Sequence, residues 1–400
     1  MNVRRFYSNI NPKQLQLSTL QFVFWATMAA YFPFTVVFLQ AKGLSNTAIG
    51  AILSLNSFFS IFAQPLGGIL SDRYRSVKKV FLLCMIISAL IMLSLPIIFS
   101  TIGLAIVLTA LTFFTSPLSP LMDSWIIEEI RNEQDLSYGN IRLWGSLGYS
   151  ICAYLFGLLV DKASINYNFI IFALMTAFMV LFTRNIKDEG SASAINLKEM
   201  QIGQLLKNYS YIAFLVFSTV IYVPHKASFS FLPNLLASVG ASPGTQGIAS
   251  AIMAFSEIPL FFMSRKLLQR YKPIHLILVS ALFFVLRQVA YLTATTPQQV
   301  LLAQVLQGPS FALFLNGAVY YIDSLAPDKL KSTAQTLASS LYGGVSGILA
   351  NYFGGWVIDN WGISWLYSLG IWVTIAITLL FLASLAIEKY FIKSTNSKAM

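Results

Sequence analysis

Long apolar runs, separated by short polar or basic stretches, recur along the whole chain of 400 residues. They fall near 15–39, 47–70, 79–99, 102–127, 139–160, 165–184, 208–238, 245–264, 273–294, 298–322, 333–358 and 363–387. A helix needs about 20 residues to cross the hydrocarbon core, so each run is long enough. The runs are continuous rather than alternating, which predicts helices and excludes a membrane β-barrel. Several carry Gly or Pro, which membrane helices tolerate where neighbours or cavity water satisfy the freed backbone groups. The first run is too long for a signal peptide and no small-residue cleavage site follows it, so it is read as a span. The expected fold is an all-α membrane protein of twelve transmembrane helices.

Composition agrees with that pattern. Apolar side chains make up 56% of the chain and charged ones 10%, against about 25% charged in soluble proteins. An ordinary soluble enzyme, a disordered chain and a collagen are thereby excluded. Both cysteines, Cys84 and Cys152, lie inside apolar runs and suit neither a disulfide, a zinc cluster nor a redox pair.

The formal charge of +11 is informative through its placement. Of the 26 Lys and Arg, 21 fall in the loops and ends on one face, and only Lys42 and Lys162 in the opposite loops. The positive-inside rule then places both termini in the cytoplasm, as an even number of spans requires. The basic excess is therefore topology, with some contact to anionic lipid, and not a nucleic-acid footprint.

The widest polar gap, 185–207, divides the chain into an N-terminal six-helix bundle (1–184), a cytoplasmic linker and a C-terminal six-helix bundle (208–400). Phe156-Gly157 with Asp161 recurs as Phe353-Gly354 with Asp359, and Arg73-Tyr74 recurs as Arg270-Tyr271 at an offset of 197. Two pseudo-symmetric six-helix bundles are expected. Such repeats typify secondary transporters, whose substrate site lies between the repeats.

The loop after the second span reads Gly68-Ile-Leu70-Ser-Asp72-Arg73-Tyr-Arg75. It resembles the loop motif of the major facilitator superfamily, although Arg75 stands where that motif has Gly. The resemblance implies a gating role for Gly68, Asp72 and Arg73. Ala30-Tyr31-Phe32-Pro33-Phe34, and Ser116-Pro117 to Asp123 followed by Tyr138-Gly139 to Ser146, are similar to the lactose permease and phenylpropionate permease branch. That branch implies substrate-binding roles for Asp123, Arg142 and Tyr31, and for Tyr149, which stands where lactose permease stacks a Trp on the sugar. It implies sugar binding and proton coupling for Glu257 and Arg287. Gln307 and Ser310 stand where lactose permease has a His and a Glu, so its proton relay is not intact here.

An ionisable group inside a span costs about 3 kcal/mol on insertion scales and is a functional candidate by default. Asp123, Arg142, Lys226, Glu257 and Arg287 qualify, with His225 beside them. Asp123 and Arg142 lie about 7 and 5 Å in from the same face. They are a substrate or gating pair, or else a static ion pair with Arg142 reaching to water. Counting rise per residue leaves Glu257 and Arg287 about 10 Å apart in depth, so a direct salt bridge is not claimed and the two could share a cavity through water or substrate. Glu257 is the expected proton-coupling carboxylate, the alternative being a carboxylate that only holds spans together. His225 and Lys226 follow Pro224, and His225 is either a substrate-site group or a hydrogen-bonded packing residue.

No phosphate-binding loop, HExxH or cysteine–histidine cluster occurs in the sequence. Neither enzymatic chemistry, a metal nor a cofactor is expected. The reading is a monomeric, multi-pass carrier of the cytoplasmic membrane, working by alternating access as a proton symporter. Three intramembrane cations against two carboxylates point to a small polar or anionic solute, an aromatic or other monocarboxylate first. A sugar or nucleoside symporter, a drug efflux carrier and a non-transporting membrane receptor or scaffold are the alternatives.

Overall fold

The computed structural model describes residues 11–130, 133, 136, 138–184, 186, 205–327 and 330–398. The linker expected at 185–207 lies outside these except for Ile186 and 205–207, as do Arg4, Arg5, Arg131, Lys187, Lys198 and Lys329 of the basic face.

A chain this apolar must satisfy its own backbone hydrogen bonds in lipid, and it does so with helices. In chain order they are α1 (Pro12–Ala41), α2 (Asn46–Arg73), α3 (Val77–Ile97), α4 (Thr101–Ile130), α5 (Tyr138–Lys162) and α6 (Asn166–Thr183). They continue as α7 (Tyr209–Ser230, extended by Leu232–Ser238), α8 (Thr245–Arg270), α9 (Pro273–Thr293) and α10 (Pro297–Leu325). The last two are α11 (331–361) and α12 (Ile363–Lys398). No strand occurs among the described residues.

Eleven of these helices are long and apolar enough by themselves to cross a membrane. The other is α11, which opens on the polar run Lys331-Ser-Thr-Ala-Gln-Thr and contains a π-helical segment at Ser340–Val345. A second π-helical segment, Gly308–Ala312, lies in α10. Pro309 there has no N–H to give to the helical ladder, which favours the wider turn. Large apolar side chains face outward along the helices, Phe262 at 82% exposure and Ile97 at 75%, as a lipid-facing surface requires.

The chain forms two compact units. The first gathers the described residues of Met1–Leu44, Phe59–Ala194 and Ser242–Phe255, and the second those of Ser45–Phe58, Ile195–Ala241 and Ser256–Met400. Helices α2 and α8 are thus each divided between the units. In the first unit, Phe24, Phe81 and Trp125 form a buried aromatic column with ring separations of 5.5 and 5.8 Å. In the second, Phe217 stacks on Phe381 at 4.3 Å within a core that includes Phe214, Phe314, Phe284 and Tyr222.

Two turns repeat the same local chemistry. Gly43 (φ 80°) ends α1 and Gly240 (φ 78°) ends the α7 extension. Each takes the left-handed conformation that a residue without a Cβ adopts freely. In each turn the next residue donates six-to-one, Leu44 to Leu39 and Ala241 to Leu236, at 3.3 and 2.9 Å. The following helices are then capped by aspartates from elsewhere in their own units. Asp161 accepts from the Gly244 N–H at 2.8 Å and from Ser242 Oγ at 2.7 Å. Asp359 accepts from Asn46 and Thr47, at the start of α2.

Candidate functional site

In the first unit the site is built by a close crossing of α1 and α5. A Cβ at Gly148 would lie 2.4 Å from the Phe22 carbonyl oxygen, so only glycine allows the backbones this near. One turn earlier, a Cβ at Gly145 would lie 2.4 Å from Trp25 Cδ1, 2.9 Å from Arg142 Nη1 and 2.9 Å from Gln21 Oε1. Three side chains therefore converge over Gly145. Arg142 lays its guanidinium on the Trp25 ring, Cζ 4.3 Å from the centroid, a cation–π contact. Tyr149 makes a T-shaped contact with the same indole at 6.2 Å and 73°.

Around this stack the Asp123 carboxyl meets the Tyr138 hydroxyl and the Gln21 side chain, yet several polar atoms stay without a geometrically sound hydrogen bond. Among the described residues these are both amide atoms of the fully buried Gln21, the Trp25 indole N–H and Asp123 Oδ1. Tyr138 hydrogen-bonds to both Asp123 and Arg142 and so links them, while the Arg142 guanidinium also lies on the indole. Buried polar groups are almost always hydrogen-bonded, so donors and acceptors collected in this way make this a candidate place for a polar ligand. Tyr31 lies six residues beyond Trp25 on α1, about 9 Å along the axis, buried with its ring on Phe32.

In the second unit the candidates join in one chain of hydrogen bonds. Gln307 Nε2 donates to Glu257 Oε1 at 3.0 Å, and Arg287 Nη1 donates to Gln307 Oε1. Arg287 Nη2 lies 2.5 Å from His225 Nδ1. Arginine can only donate, so Nδ1 accepts and the imidazole carries its hydrogen on Nε2. Phe311 stacks on that imidazole at 5.5 Å, and Phe284 and Tyr222 pack at 5.2 Å. Glu257 reaches the chain because α8 and α10 cross closely: Gly308 N–H donates to Ser256 Oγ at 3.1 Å. Gln307 thus links Glu257 to Arg287 side chain to side chain. Lys226, half-buried beside His225, has no hydrogen-bond or ion-pair partner among the described residues.

The loop motif lies in the first unit. Arg73 is exposed, and Asp72 offers its backbone carbonyl to the Arg75 N–H at 3.1 Å. Arg75 has φ 51°, which explains why glycine suits this position in the motif. A Cβ on Gly68 would meet nothing within 4 Å; the tight position is Gly67, where it would lie 2.5 Å from Pro117 Cβ.

A family model described as MFS_1 like family matches residues 14–369. The chain belongs to that family. Among its curated relatives, the maltose permease of Geobacillus stearothermophilus is 30% identical over 352 residues, 86% of this chain and 88% of that one. The nucleoside permease NupG of Escherichia coli (strain K12) is 25% identical, covering 90% and 92%. The probable 3-phenylpropionic acid transporter of the same strain is 24% identical over 75% of this chain and 80% of its own. A crystal structure of the nucleoside transporter NupG superposes with TM-score 0.82 at 19% identity, covering 94% and 99% of the two chains. The twelve-helix transporter fold of the family is the fold of this chain.

Within this family member, three participants escape a reading of the residues alone. Gln307 is visible only as a departure from the relatives' pattern. Gln21 carries a weak signal, a lone amide in an apolar span. Trp25 carries none, because an aromatic in a membrane helix is ordinarily packing or lipid-facing.

Proposed function

We propose that this protein is a proton-coupled secondary transporter that carries a neutral, polyhydroxylated solute of the glycoside class. The observation that carries the reading is the first-unit cluster of buried donors and acceptors around the Arg142–Trp25 stack: the Gln21 amide, the Trp25 N–H, and Asp123 with Tyr138. A sugar satisfies both kinds of group, since each hydroxyl donates and accepts. A carboxylate solute would instead face Asp123. The maltose permease relative, at 30% identity over 86% of this chain, supports the same class.

Glu257 is the proposed proton carrier. It is the carboxylate of the second-unit chain, and Gln307 ties it to Arg287 without a titrating group between them. Binding a proton removes the charge that Gln307 and Arg287 stabilise, so solute and proton can bias the same chain. With the basic loops on one face, both termini are proposed to lie in the cytoplasm.

The test is uptake into proteoliposomes. An imposed inward proton gradient should accumulate labelled maltose, and uridine and 3-phenylpropionate should compete weakly. Indifference to the gradient would overturn symport. One specific observation favours a second reading, an aromatic monocarboxylate: the half-buried Lys226 has no hydrogen-bond or ion-pair partner among the described residues. Accumulation of 3-phenylpropionate in place of maltose would select it.

A further inference from the structure

We propose that the indole face of Trp25 is the platform on which the solute's ring stacks, and that Arg142 vacates this face when solute enters. The inference rests on the solute reading above and names the residue that would grip the ring. The resemblance to lactose permease implies stacking at the position of Tyr149; the geometry points to Trp25 instead.

The Trp25 face is at present covered by the Arg142 guanidinium, Cζ at 4.3 Å. A planar cation on an aromatic face is held by the ring quadrupole. The same face takes the C–H side of a pyranose or a flat aromatic ring by dispersion and apolar burial. Tyr149 packs against the indole at 6.2 Å with the two ring planes 73° apart, a T-shaped contact rather than a parallel stack. Half-buried Trp25 thus combines a replaceable cation on its face with an aromatic neighbour in T-shaped contact.

The polar groups around the platform match a stacked ring. Trp25 Cδ1, Arg142 Nη1 and Gln21 Oε1 all approach one point over Gly145, within 2.4 to 2.9 Å of it. A ring lying on Trp25 brings its rim hydroxyls to the Gln21 amide and to Asp123 Oδ1, in exchange for the Asp123 contacts to Tyr138 and Gln21. Arg142, lifted from the indole, is then free to turn its five donors to the solute or to Asp123. Binding would exchange one cation–π contact for a stacked ring and several hydrogen bonds, and would rearrange α1 against α5 at the crossing that Gly145 and Gly148 permit.

The experiment uses the full chain purified in detergent, with maltose and 3-phenylpropionate as calorimetric probes. Variants are Trp25→Leu, Trp25→Phe and Tyr149→Leu, each checked for a cooperative thermal transition. For whichever probe the wild type binds, Trp25→Leu should weaken affinity by about tenfold and Trp25→Phe by about threefold. Tyr149→Leu should cost less than Trp25→Leu. Where Trp25→Leu does not fold, Trp25→Phe carries the comparison. In the solute-free protein, Arg142→Gln should shift the indole emission, the shift should vanish in a Trp25→Phe background, and bound solute should reproduce it in the wild type. Binding of 3-phenylpropionate alone would overturn the glycoside reading and leave the platform to be judged on that probe. A Trp25→Leu protein that binds within about twofold of wild type, or a larger loss in Tyr149→Leu, would overturn the platform. A wild type that binds neither probe would overturn both.

Discussion

Asp359 holds Thr47 through both of its donors: Oδ2 accepts from the Thr47 N–H and from Thr47 Oγ1, each at 2.6 Å. Its other oxygen takes the Asn46 N–H and side-chain amide at 3.2 and 2.8 Å. One carboxylate thereby satisfies two of the orphan N–H groups that open α2, and its charge complements the helix dipole there. Asp161 serves α8 with two bonds, to Gly244 and Ser242. Deleting a capping side chain costs about 1 kcal/mol. Asp359→Ala should therefore lower the thermal midpoint of the detergent-purified protein, and Asp161→Ala should lower it less. Equal losses, or none, in differential scanning fluorimetry would contradict this ranking.

Arg75 is the one non-glycine residue with positive φ among the described residues, at 51°. A side chain in the left-handed region costs about 1–2 kcal/mol, and glycine removes that strain while adding entropy to the unfolded chain. The net expectation for Arg75→Gly is a gain of about 0.5–1 kcal/mol. Its thermal midpoint should rise, and Arg75→Val should lower it. A falling midpoint for Arg75→Gly would show that the Arg75 side chain contributes more than its backbone costs.

Glu257 and Gln307 should separate in their effects. Glu257→Gln keeps a group of the same size next to the Gln307 amide but cannot carry a proton. Accumulation against a gradient should stop while equilibrium exchange of solute across the vesicle continues. Gln307→Leu removes the bridge itself and takes one hydrogen bond from the buried Arg287 guanidinium and one from Glu257; breaking a buried charged network costs about 3 kcal/mol or more. Both accumulation and exchange should fail, with a lower thermal midpoint. Exchange surviving in Gln307→Leu would show that the bridge is dispensable.

How much of this was legible depends on which force places the residue. The bilayer dictates long apolar helices, so the spans and the ionisable residues within them, Asp123, Arg142, Lys226, Glu257 and Arg287, stand out in the chain itself. Depth counting along α8 and α9 separated Glu257 from Arg287, and Gln307 stands between them. It could not find Gln307 as the link, because a side chain that spans two helices is set by the α8–α10 crossing at Ser256 and Gly308. Trp25 and Arg142 show the same limit. Proximity of Asp123 and Arg142 made their pairing plausible, and it did not reveal that Tyr138 hydrogen-bonds to both or that the guanidinium also lies on the α1 indole. Partner choice among side chains lies in the packing, and helical periodicity does not encode it.

Glycines offer the last and sharpest contrast, between Gly148 and Gly68. A Cβ at Gly148 would stand 2.4 Å from the Phe22 carbonyl oxygen, which is backbone and cannot rotate aside. Gly148→Ala should push α1 from α5 at a cost of about 1–3 kcal/mol, lowering the thermal midpoint and weakening solute binding. A Cβ at Gly68 meets nothing within 4 Å, so Gly68→Ala should be neutral or stabilising by up to about 1 kcal/mol through helix propensity. The gating role proposed for the Gly68–Asp72–Arg73 loop requires something more: that this open space is filled in another state of the transport cycle. Gly68→Leu should then keep its thermal midpoint yet slow maltose exchange in proteoliposomes. Exchange at the wild-type rate would remove Gly68 from the gate and leave it an ordinary helix residue.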